Sequence, residues 1–149
     1  MTTSPPPSPR GLDFRVILVV PLLLFAPWLA AVLVVTFAGY PGVVCVTPLA
    51  WLLALRLGIM CVGRSASTQP SRRVLEATLA GGVFGLLQGL LFIVIVPRMG
   101  SIQASEQASA IMISVIMVVM GSLVGAGLSA FTASQTERRL RATVPAEGN

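Results

Sequence analysis

The sequence contains no histidine and no lysine. Without an imidazole there is no His-ligated haem, no His metal site and no histidine general base. There is no Cys-x-x-Cys pair, the motif that thiol–disulfide exchange within a membrane would need. The two cysteines, Cys45 and Cys61, would stand about 24 Å apart on one continuous helix. A disulfide needs Cα atoms within about 7 Å, so the pair reads as buried small hydrophobes. Phosphate loops of the Gly-x-x-x-x-Gly-Lys type are also missing.

Charge is scarce as well. Charged residues make up 10% of the 149 positions, against about 25% in a soluble domain. No Asp or Glu falls at the middle of an apolar block, where proton- or cation-coupled carriers usually keep one. Small multidrug carriers place a carboxylate inside their first helix, and this first apolar block has none. The sequence therefore implies no catalytic residue, no metal ligand and no cofactor, and an enzyme is the weakest class.

What is present is apolar. Hydrophobic residues are 55% of the chain and the mean hydropathy is +0.90. Four long apolar blocks account for it, each near the roughly 20 residues that cross a hydrocarbon core. The expected fold is an all-α integral membrane protein with four transmembrane helices arranged as two hairpins. The spans are about 16–38, 43–62, 74–96 and 108–133. A Pro/Ser-rich tail over 1–15 precedes this domain, and a basic tail over 134–149 follows it, with Glu137 to Arg141 read as continuing the helix for a turn or two along the membrane surface before Pro145. The lipid bilayer is the first partner, with other membrane subunits or a second copy beside it; nucleic acid is not expected.

In the first span Pro21 and Pro27 each remove one helix hydrogen bond. Gly39-Tyr40-Pro41-Gly42 reads as a tight turn with Tyr40 at the interface. In the second span, Thr47-Pro48 reads as a cap followed by Pro at the first helical position, which leaves 43–46 as either helix or dipping loop. Arg56 lies inside that span, about 12 Å from Arg64, within snorkelling distance of the headgroups. Glu76 opens the third span, placed to pair with Arg72 one turn back or with Arg56. Gln88 sits near mid-membrane, where an amide needs a partner. Arg56, Glu76 and Gln88 are the candidate intramembrane polar residues. The methionines of the fourth span, Met112, Met117 and Met120, read as gap-fillers.

The most specific pattern is a glycine-zipper spacing. Ala77, Gly81, Gly85 and Gly89 recur every four residues and share one face of the third helix. Gly121, Gly125 and Ser129 repeat the spacing in the fourth, with Ala133 extending it. Two such strips allow close backbone approach. They are the candidate helix-packing interface, whether within the chain or toward a partner.

All ten cationic residues are arginine. If the chain crosses four times, Arg10, Arg15, Arg64, Arg72 and Arg73 share a side with Arg138, Arg139 and Arg141, and Arg98 lies opposite. The positive-inside rule then puts both termini in the cytoplasm, in a plasma membrane setting. Three readings of function follow. The leading one is an accessory or assembly subunit working through helix contacts. The alternative is an oligomeric small channel or carrier, with Arg56 favouring an anionic solute. The third is a lipid-directed enzyme built on Arg64, Arg72, Arg73 and Glu76.

Overall fold

The computed structural model describes residues 12–38, 42–95 and 104–143. Among them the chain is all-helical: α1 (Phe14–Phe37), α2 (Gly42–Arg64), α3 (Pro70–Ile95) and α4 (Ala104–Thr143). The proline-rich run at the start, the turn around Tyr40 and the connection around Pro97 lie outside the described residues, as does the side chain of Cys45.

Local chemistry explains where the helices begin. Asp13 caps α1: its Oδ1 accepts the Arg15 amide at 3.0 Å, and its carbonyl accepts the Ile17 amide at 3.2 Å. That is the N-cap arrangement, in which a short acidic side chain satisfies an otherwise orphaned helix donor. α1 is continuous through Pro21 and Pro27. α2 starts at Gly42, so residues 43–46 are helical and Pro48 is inside the helix. α3 opens on Pro70, whose missing N–H costs nothing in a first turn. α4 runs 40 residues without interruption, about 60 Å, so the helix continues from the fourth apolar block through most of the basic tail.

Three helices contain stretches long and apolar enough to cross a membrane: Phe14–Val35, Pro70–Leu91 and Val115–Thr143. The described part of α2, with Arg56 within it and Arg64 at its end, is not among them.

The core forms on repeating faces. Val16, Val20, Leu24, Trp28 and Val32 are buried at four-residue intervals along α1. Val16, Val20 and Leu24 meet Ala54, Leu57 and Cys61 of α2 and Ala77, Ala80 and Phe84 of α3, while Trp28 and Val32 meet Ala50 of α2. Leu75, Leu79, Leu86 and Leu90 lie on the outer surface of α3. The most extensive helix pairing is α3 with α4.

Candidate functional site

The α3–α4 seam is built from missing side chains. A Cβ added to Gly85 would land on the carbonyl of Gly121, and one on Gly81 would land on the carbonyl of Gly125. Gly89 rests against the Cα of Val118. The α3 strip and the α4 strip therefore face each other within one chain. Ala77 and Ala133 are fully buried in the same core.

Ser129 turns the seam into a three-helix junction. It is fully buried, and its hydroxyl donates to the main-chain carbonyl of Ala54 on α2 at 3.0 Å. Beside it, Gly58 of α2 packs on Ser129 and Thr132, and a Cβ there would meet the Thr132 hydroxyl and the Ser129 carbonyl. Sequence reasoning passed over Gly58. The signal was present as a third small-residue series, Ala50, Ala54 and Gly58, again every four residues.

A second cluster closes one end of the bundle. Glu76 is fully buried. Its Oε1 accepts the backbone amide of Asp13 at 2.9 Å, and its Oε2 accepts the Ser65 hydroxyl at 2.5 Å. One carboxylate thus joins the start of α1, the end of α2 and the first turns of α3. Its acceptors are occupied by these donors rather than by Arg56. Ser65 also accepts the Ser67 amide at 3.2 Å, and the Ser67 hydroxyl accepts the Gln69 amide at 3.2 Å. These bonds shape the short turn between α2 and α3. Arg73 completes the cluster: its Nε donates to the Ser67 carbonyl at 2.6 Å and its guanidinium pairs with Glu137 of α4 at 3.0 Å. The start of α1, the end of α2, the start of α3 and the end of α4 are therefore at the same end.

No family model, curated protein or solved structure matches this chain.

The third feature is a cavity of about 320 Å³ between α2, α3 and α4, with Trp28 of α1 in its wall. Gln88 lines it, and the Gln88 Nε2 and Trp28 Nε1 atoms are buried without a hydrogen-bond partner. The ring of Phe25 lies 5.5 Å from that of Trp28 and tilted by 36°, steadying the indole from its own helix.

The three candidate polar residues are thus dispersed. Glu76 is sealed into the terminal cluster, Gln88 is in the cavity wall, and Arg56 is exposed on the outer face of α2 beside Leu52 and Ile59. Among the described residues, no group of three His, Cys, Asp or Glu could hold a metal ion.

Proposed function

We propose that the chain is a non-catalytic multi-pass membrane subunit, acting as an accessory or assembly element of a larger complex. The observation that carries this reading is how its interior polar groups are used. Glu76, Ser129 and the Arg73–Glu137 pair all join one helix to another. Such bonds stabilise a scaffold; a transport path would instead gather polar groups along a common lining.

In this reading α2 is the fourth crossing. Arg56 lies about 12 Å from the Arg64 end, and its long stem carries the charge toward the headgroups. The arginine-rich end, with Arg15, Arg64, Arg72 and Arg73, is cytoplasmic by the positive-inside rule, and the membrane is the plasma membrane. The glycine strips set the scaffold's rigidity. The surface offered to another apolar helix is the outward side of α4, where Val115, Ile116, Val119 and Leu123 are exposed. The adaptable methionines Met112 and Met120 flank it.

The test is the mass and composition of the particle extracted in a mild detergent. The reading expects other chains at fixed stoichiometry, released by Ile116→Arg with the monomer still folded. A particle containing this chain alone sinks it. The exposure of Arg56 supports a second reading, in which copies associate and Arg56 lines an anion path between them. Liposome anion flux that is unchanged by Arg56→Ala removes that role.

A further inference from the structure

Buried donors normally have partners, because an amide or indole N–H left in an apolar setting costs about 1–3 kcal/mol. Here two such donors lie in the wall of one cavity, each without a partner. Trp28 is 2% exposed, so solvent does not satisfy its indole. The remaining wall is apolar or glycine: Ala50, Ala54, Phe84 and Gly85 are buried, and no lining residue carries a charge.

We infer that this cavity binds a neutral, membrane-soluble molecule whose carbonyl oxygen accepts hydrogen bonds from Trp28 Nε1 and Gln88 Nε2. Each part of that description has its own source. Both orphaned atoms are donors, so the complementary group is an acceptor. The uncharged apolar wall excludes an ion, because nothing in it repays the desolvation of a charge. About 320 Å³ is within the range of small-ligand sites. The mouth is lined by Trp51, Met117, Met120 and Val124, which are exposed at the outer surface of the helices. A ligand therefore enters sideways, from the bilayer. The position of Gln88, about 18 Å along α3 from Glu76, puts the site well away from the arginine-rich end. This inference does not depend on the subunit reading: a scaffold holding such a molecule and an isolated carrier of it have the same wall.

Two sources supply that chemistry, the ester of an acyl lipid and the ring ketone of a quinone. The chain has two tryptophans, Trp28 and Trp51, and both line the cavity. The indole N–H signals of the ¹⁵N-labelled full-length protein therefore read the site directly. The protein is held in dodecyl maltoside, which contains no carbonyl, and Trp51→Phe assigns the two signals. Four probes are titrated: methyl laurate, 2-methyl-1,4-naphthoquinone, and the hydrocarbons dodecane and 2-methylnaphthalene. A saturable downfield shift of the Trp28 proton with a carbonyl probe, absent with its hydrocarbon counterpart, is the expected result. Response to the ester alone or to the quinone alone names the source. Gln88→Leu, which keeps the side-chain bulk, is expected to weaken that binding about fivefold through one lost hydrogen bond. Equal affinity in Gln88→Leu overturns the two-donor site. A Trp28 signal unmoved by either carbonyl probe, or moved as far by the hydrocarbons, overturns the proposal. A Trp28 proton that already has a hydrogen-bonded shift before any addition, and keeps it throughout, assigns the space to water instead and overturns it as well.

Discussion

The carbonyl oxygen of Gly121 fills the space that a Cβ on Gly85 would need. The relation is not symmetric. A Cβ on Gly121 would lie 3.2 Å from the Gly85 carbonyl oxygen, tight but within reach of a small adjustment. Gly85→Ala is therefore expected to push the α3 and α4 backbones apart, at a cost of about 1–3 kcal/mol, and Gly121→Ala to cost less. Gly82, three residues earlier on the same helix, has open space beside it, so Gly82→Ala is expected to leave stability unchanged or slightly raised. Thermal unfolding in detergent checks the order Gly85→Ala, Gly121→Ala, Gly82→Ala from least to most stable. A Gly85→Ala protein as stable as Gly82→Ala would remove the close-approach account.

Gly58 predicts the same behaviour for the other contact of α4. Its neighbours are the Thr132 hydroxyl and the Ser129 carbonyl. The hydroxyl can rotate away and the carbonyl cannot, so Gly58→Ala is expected to destabilise by about 1–3 kcal/mol. Thr132→Ala in the same chain should recover only part of this. Full recovery would show that the side chain, not the backbone, sets the distance between α2 and α4.

Glu76 holds two donors with two oxygens, so replacing it with leucine leaves the Asp13 amide and the Ser65 hydroxyl without their acceptor. Glu76→Leu is expected to cost about 1–3 kcal/mol and to loosen the start of α1. Hydrogen exchange at the Asp13 amide is the sensitive readout, with an expected acceleration of about tenfold. Exchange at wild-type rate in Glu76→Leu would mean that the amide is protected by something other than this carboxylate.

Arg73 and Glu137 form the other tie at that end. Glu137 is 8% exposed and Arg73 is 26% exposed, so water screens the arginine in part. Arg73→Ala is expected to cost about 2 kcal/mol, below the range for fully buried pairs, because Glu137 is left without its cation. The double variant with Glu137→Ala should lose less than the two single losses added. Additive losses in that cycle would show that the pair is not coupled.

Much of this arrangement is written in short-range spacing. The seam residues of α3 and α4 are visible because small residues recur at four-residue intervals, and that period alone fixes a shared face. Gly58 is harder to read: its series has the same four-residue period, but two of its three members, Ala50 and Ala54, are ordinary helix residues that do not by themselves mark a close approach. Glu76 was legible as a charge near a span end but not as a fully buried node. Its partners are an amide 63 residues away and a serine in a turn, and no local pattern connects them. The run of α4 past the apolar block to Thr143 was legible in part, because Glu137 to Arg141 are residues that continue a helix for a turn or two. The Trp28–Gln88 cavity depends on how four helices fail to fill a volume, which no single segment encodes.

The bond between Asp13 and Glu76 also bears on the order in which the protein can be made. The amide that fastens α1 appears early in translation, while its acceptor emerges 63 residues later. The most extensive helix contact, α3 with α4, belongs to the last hairpin synthesised. α1 and α2 are therefore made before the carboxylate that ties them to α3 exists, and during that interval Val16 has no α3 to cover it. A chain that ends before Glu76 has the Asp13 amide at the start of α1 without the carboxylate that ties it to α3.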